Sequence, residues 1–157
     1  MRLSMMAARS ENNVIGLDSA IPWNVEGEKL LFRAMTHNHW LIVGRATFAS
    51  IGLLPRRRYA VISSTLSQPR DNSFLVFSSV DEAIARLSEL SDHAFVAGGG
   101  QIYRSLIAVV DHIHLTTIHC QVAGNVFFPS IPESFHVVFE QDFSSNIDYT
   151  YQIWSKR

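Results

Sequence analysis

Several things are scarce in this chain, and each shortage excludes a class of answers. One cysteine, Cys120, stands among 157 residues, so no disulfide can form within the chain and a reducing compartment suits it. Neither sign of charge is in surplus: the formal net charge is −1 at pH 7 and the pI about 6.6. Without a basic excess there is little to neutralise a phosphate backbone, which argues against a nucleic-acid partner. No apolar run approaches a membrane span. The leading "MRLSMMAARS" reaches Arg9 too soon for the apolar region of a signal peptide, and the expectation is a cytoplasmic protein. Internal repeats, low-complexity tracts and linkers are missing too, so residues 1–157 read as a single domain.

What is present is enough to build a core: 47% of the residues are hydrophobic and 17% charged. Short apolar runs alternate with amphipathic ones. Leu3 to Ala8, Trp40 to Gly44, "RYAVISS", "FLVFS", "HAFVA" and "HIHLTTIHC" read as strands, and "HVVFEQDF" and "YTYQIWSK" as two more. Helices are expected at "PWNVEGEKLLFRAM" with Asn24 as N-cap, at "RATFASIG" closed by Gly52, at "SSVDEAIARLSEL" with Ser79 and Glu82 as a capping box, and after "GGG". "RSENNVIGLDSAIPWN" reads as one long connection. Helical crossovers between strands imply a mostly parallel sheet covered on both faces, and the last two strands imply an antiparallel edge.

Three places carry candidate chemistry. Glu28 lies in line with Leu31, Phe32 and Met35, three, four and seven residues on, and so shares their helix face. It is either a helix-start carboxylate at the edge of that stripe or an acid buried for a purpose. Two strand-to-helix turns, "VGRATFAS" with Gly44, Arg45 and Thr47, and "VAGGGQIY", could bring backbone N–H groups close to the phosphates of a dinucleotide, with Ser63 and Ser64 nearby; close strand–helix packing and a surface arginine are the plain alternatives. Arg56, Arg57 and Arg58 are a solvated turn or a carboxylate clamp. His112 and His114 share a strand face, but no cysteine cluster accompanies them and no metal is expected.

These pieces, in this order and spacing, resemble bacterial dihydrofolate reductase over essentially the whole chain: "VIG", "IPWN", Glu28, Phe32, "GRATFASIG", "LPRRR", "VISS", "GGGQIY", "LTTI" and "FFP". The resemblance implies an α/β fold, an eight-stranded, mostly parallel sheet with an antiparallel C-terminal edge and four helices on both faces. It implies NADPH-dependent reduction of 7,8-dihydrofolate to tetrahydrofolate by a monomer. It implies catalytic roles for Glu28, for Trp23 beside an ordered water, and for Thr116 bonded to the carboxylate. Met6, Ala8, Phe32, Ile51, Leu54 and Arg57 would complete the substrate side, Arg57 gripping the glutamate carboxylate. Ala8, Ile15, Gly16, Gly44, Arg45, Thr47, Ser63, Ser64, Gly98, Gly99, Gly100, Gln101, Ile102 and Tyr103 would hold the cofactor, Gly98 and Gly99 joined by a cis peptide and Arg45 and Ser64 reading the 2′-phosphate. Glu11 to Asn24 would form the loop over the nicotinamide.

Some positions depart from the common bacterial pattern: Glu28 is one methylene longer than the usual aspartate, Lys29 replaces an apolar residue, and Ala46, Gln101 and Asn125 differ too. The longer acid and the tail "DFSSNIDYTYQIW" resemble the trimethoprim-insensitive reductases of mobile elements, which implies weak binding of that antifolate. A pyrimidine reductase of riboflavin synthesis, on the same fold, and a catalytically silent pterin- or nucleotide-binding protein are the competing readings.

Overall fold

The structure, a computed structural model, describes residues 1–16 and 23–157. Leu17 to Pro22, which include the first half of the "IPWN" motif and part of the expected covering loop, lie outside the described residues.

The elements in chain order are β1 (Arg2–Ser10), β2 (Val14–Gly16), α1 (Glu28–Thr36), β3 (Trp40–Gly44), α2 (Arg45–Ile51), β4 (Arg58–Ile62) and β5 (Leu75–Phe77), then α3 (Val80–Leu90), β6 (His93–Gly98), α4 (Gly100–Leu106), β7 (His112–Ile118), β8 (Val126–Phe127), β9 (Phe135–Phe143) and β10 (Tyr149–Lys156). Eight strands form one sheet in the order β5-β4-β3-β6-β1-β7-β10-β9. The first six run parallel, whereas β10 is antiparallel to both β7 and β9. The expected fold is thus the observed one.

Central strands read as unbroken apolar runs because both their faces are covered. From β1, Leu3, Met5 and Ala7 join the core under α3 and α4, which contribute Ala83, Leu87, Ile102 and Leu106. Met6 points the other way, with Leu41, Val43, Tyr59 and Phe95, and there α1 and α2 lay down Leu31, Phe32, Met35, Phe48 and Ile51. The stripe counted from Glu28 is therefore the packed face of α1.

Three local expectations change. Asn24 does not cap α1; the helix begins after Gly27, whose φ of 87° suits a residue without a Cβ, and no side chain caps it. The lead-in is held instead from a distant turn. Asn146 accepts from Glu26 N at 2.9 Å and donates to Asn24 O at 2.8 Å, and Ser145 donates to Glu26 O at 2.8 Å. Val25 is buried there with Ile118 and Tyr149, so tertiary packing outweighs the local cap. On α3, Ser79 does accept from Glu82 N, but the Glu82 carboxylate reaches Ser78, closing the box one residue early. The long connection is not all loop, because β2 pairs with β8 as a two-stranded ribbon outside the main sheet.

Among the described residues no helix is long and apolar enough to cross a membrane, and no cluster of His, Cys, Asp and Glu could hold a metal ion. His114 is a satisfied strand histidine, its Nδ1 2.5 Å from the Tyr151 hydroxyl.

Candidate active site

In a sheet of this kind, ligands gather where the parallel strands end. Here the C-terminal ends of β1, β3, β4, β6 and β7 open into a cleft of about 970 Å³, roofed on one side by α1. That volume lies at the upper end of the roughly 300–1,000 Å³ of ligand sites.

One half of the cleft is mostly apolar. Met6, Ala7 and Ala8 form its floor at the end of β1, and Trp23, Phe32, Ile51 and Leu54 its walls. Glu28, on the first turn of α1, faces into it half-buried. Burial pushes the Glu28 carboxyl above its ordinary range, and the positive charge of neighbouring Lys29 pulls partly back. Burial, and then the charge of Glu28, raises the hydroxyls of Tyr103 in the cleft and of Tyr149 beneath Gly27. Thr116 is buried in the same wall, but no hydrogen bond joins it to Glu28, contrary to expectation.

Arg57 is not among the residues that line the cleft. Its Nε donates to Thr36 Oγ1 at 3.3 Å, one Nη donates to Pro55 O at 2.7 Å and the other to Arg33 O. The last turn of a helix leaves carbonyls without intrahelical partners, and Arg57 satisfies one of them. The cations of α1 that do line the rim are Lys29 and, one turn beyond it, Arg33. Helical spacing from Lys29 is the signal that finds it.

The other half is polar and glycine-rich. Gly44, Arg45 and Thr47 come from the β3–α2 turn, Gly99, Gly100, Gln101, Ile102 and Tyr103 from the β6–α4 turn, and Ser63 and Ser64 from the end of β4. Ile15 and Gly16 close the side. The two turns touch: a Cβ on Gly99 would meet Thr47 Oγ1 at 2.9 Å, so only glycine lets them approach. The Gly98–Gly99 peptide is cis. Gly98, with φ 108°, sits behind the wall instead of in it, where a Cβ would meet the Tyr103 ring at 3.0 Å. Tyr103 donates to Met6 O at 2.7 Å and so ties α4 to the floor. Ser63 Oγ is committed to its own turn, accepting from Thr65 N and Leu66 N, whereas Ser64 is exposed, and so is Arg45 at the start of α2.

Residues outside the sequence reading line the same half, among them Ser78, Thr65 and Val126. Ser78 and Thr65 follow strand ends and are findable on that ground. Val126 comes from β8, through a pairing that local pattern does not reveal. Ala46 and Gln101 both face the cleft, and Asn125 N donates to Gly16 O at 3.1 Å. Among the described lining residues Glu28 is the one carboxylate, against Lys29, Arg33 and Arg45. A cleft with that balance favours anionic ligands and keeps one negative charge for a group that needs it.

Comparison with known proteins bears on the same features. The family model described as dihydrofolate reductase matches residues 2–156. Dihydrofolate reductase type 6 of Proteus mirabilis is 54% identical over 156 residues, 99% of this chain and 99% of that protein. Dihydrofolate reductase type 1 of Escherichia coli is 50% identical over 156 residues, again 99% of each. A solved dihydrofolate reductase from Enterococcus faecalis, complexed with NADP(H) and RAB-propyl, matches with a TM-score of 0.91 at 26% identity, covering 99% of this chain and 96% of that one. The full-length match extends to the strand ends and glycine turns that shape the cleft, and the chain belongs to the dihydrofolate reductase family.

Proposed function

We propose that the protein reduces 7,8-dihydrofolate to tetrahydrofolate with NADPH, as one domain acting as a cytoplasmic monomer. The observation that carries this reading is a lone carboxylate in the apolar half of a cleft whose other half is a glycine-rich cradle. The cradle fits an extended, anionic dinucleotide. With no Cβ on Gly99, Thr47 Oγ1 approaches to within 2.9 Å of where that atom would lie, so the two turns come together around one phosphate, and Arg45 and Ser64 supply a charge and a hydroxyl at the exposed end for a further one. Arg45, Thr47 and Gly99 to Tyr103 would hold the pyrophosphate side, and Ala8, Ile15 and Gly16 the nicotinamide side.

When bound there, NADPH would supply the hydride for C6 of the pterin. Glu28 acts on the other partner. As a carboxylate it accepts from the pterin amino and ring N–H groups, fixes the ring in the cleft and raises the basicity of N5, which takes its proton through water beside Trp23. Phe32, Ile51 and Leu54 sandwich the flat ring and the aminobenzoyl group and exclude bulk water, which strengthens the field of Glu28. Thr116 closes the pocket behind the carboxylate. Arg57 spends three of its five N–H groups on the protein and keeps two for the glutamate carboxylate.

The test is the loss of NADPH absorbance on adding dihydrofolate, with Glu28→Gln as the control. The wild type should turn over, and the variant should lose at least about a hundredfold at neutral pH, the usual scale for removing a positioned charge. Full activity in the variant refutes the role of Glu28; no activity in the wild type refutes the function.

The proposal extends to weak inhibition by trimethoprim. The drug's diaminopyrimidine is rigid and needs the acid at one place, whereas the extra methylene of Glu28 shifts its oxygens and Lys29 adds a charge at the rim. The expected result is an inhibition constant well above that of family members with a shorter acid, at comparable dihydrofolate KM. A constant as low as theirs rules the extension out.

A further inference from the structure

Arg9 keeps unusual company. It lies near the C-terminal end of β1, after a run that is apolar from Met5 to Ala8, and it is half-buried. Its Nε donates to Thr117 Oγ1 at 3.2 Å and its Nη1 to Asn13 Oδ1 at 3.2 Å. Among the described residues no carboxylate forms an ion pair with it. A cation held in a partly dry place by two neutral acceptors costs stability, and burial accordingly lowers the guanidinium's pKa.

The contact with Asn13 leads somewhere. Asn13 has φ 69°, its Nδ2 donates to Phe128 O at 2.6 Å, and Phe128 N donates back to Asn13 O at 3.1 Å. That reciprocal pair opens the β2–β8 ribbon, in which Val14 pairs with Phe127 and Gly16 with Val126. Ile15, Gly16 and Val126 are the ribbon's contribution to the cleft wall. Val126 also packs where a Cβ on Gly100 would fall, 2.7 Å from its side chain, so the ribbon rests directly on the glycine turn.

We propose that Arg9 is a positioning residue for the cofactor: by orienting Asn13 it sets where the β2–β8 ribbon lies against Gly100, and the protein keeps it there at a cost in stability. The proposal rests on the reading that this half of the cleft binds NADPH.

The experiment compares wild type, Arg9→Met and Asn13→Gly by NADPH titration with tryptophan fluorescence, by dihydrofolate KM, and by Tm. Methionine keeps an apolar stem and removes both donors; glycine keeps the left-handed backbone and removes the amide. Arg9→Met should weaken NADPH binding about fivefold, the worth of one net hydrogen bond. Its dihydrofolate KM should stay within about twofold and its Tm should hold or rise, because an apolar side chain replaces a poorly paired charge. Asn13→Gly should show the same selective loss, and the double variant should lose no more NADPH affinity than the weaker-binding single variant, since both act through one contact. Unchanged NADPH affinity in both variants overturns the proposal, as does a fall in Tm with equal loss of both ligands, the mark of a merely structural role. A wild type that binds no NADPH overturns the reading of the cleft along with it; a wild type that binds, with variants that match it, overturns the Arg9 link alone.

Discussion

Glu28 stands where its charge costs the protein stability. Burial raises its pKa above the ordinary 4.5, and the pull of Lys29 only partly offsets that. Between 4.5 and the raised value the native state binds more proton than the unfolded chain, so this residue makes the protein less stable as pH rises through that window. Glu28→Gln should therefore unfold at a higher temperature than the wild type at pH 7, and the gap should close below about pH 4.5, where the wild-type acid is protonated in both states. Melting curves across that range check it; a variant less stable at pH 7 would mean that the carboxylate has a partner the structure does not show. The face shared by Glu28, Leu31 and Phe32 was legible from spacing alone, because helix geometry depends on local count. Arg57 was not. How many N–H groups an arginine spends on orphan carbonyls, and how many it keeps for a ligand, depends on where the last turn of α1 stops and on Pro55 beside it.

At the scale of elements, α1 shows a helix whose start is set from outside. Asn146 and Ser145, in the turn between β9 and β10, make three bonds to Asn24 and Glu26, and Tyr149 packs under Gly27, where a Cβ would lie 3.0 Å from its hydroxyl. The clamped residues sit between Trp23 and Glu28, both of which face the cleft. Asn146→Ala should cost about 1–3 kcal/mol, two hydrogen bonds at their usual net worth, measured as a shift in urea midpoint with an unchanged m-value. Turnover should fall as well, since the spacing of Trp23 and Glu28 is loosened. A midpoint equal to that of wild type would show that the packing of Val25 holds the segment unaided. Strands and helices with a clear period were readable in the sequence, down to the bounds of β3 and β10. The ribbon was not: β2 has three residues and β8 two, too few to set a period, and they pair across more than a hundred positions.

Across the whole molecule, histidines collect on one face of the sheet where β3, β6 and β7 begin. His93 bonds Ser4 at 2.8 Å and lies edge-on to His39, His114 bonds Tyr151, and His112 is two residues before His114 on β7. Burial, then the charges of His112 and His93, hold the His114 imidazole down to about 4, and burial with His39 also lowers His93. Arg2 and Asp92 face His93 with opposite effects, and the Tyr151 hydroxyl, pushed up to about 12, stays neutral throughout. The unfolded chain protonates His114 near 6.5 and the native state only near 4, so stability falls as pH drops through that interval and levels off below it. The loss from His114 should be of order 3 kcal/mol. Urea midpoints at pH 7.5, 6, 5 and 4 would show the slope, and His114→Gln, which keeps a hydrogen-bond partner for Tyr151, should flatten it. A slope that survives the variant assigns the effect elsewhere.

The order of elements, the two-sided burial of the central strands, the apolar stripe of α1 and the glycine turns are all inscribed in the sequence, because each follows from side-chain period or from the backbone freedom of a few residues. What only tertiary structure decided is how parts distant along the chain meet. It put Asn146 on the lead-in to α1, Arg57 on the carbonyl of Arg33, and β8 on β2 beside Gly100. Local pattern is insensitive to such contacts because their energy comes from pairs of groups dozens of residues apart, each of which, read alone, has several acceptable partners.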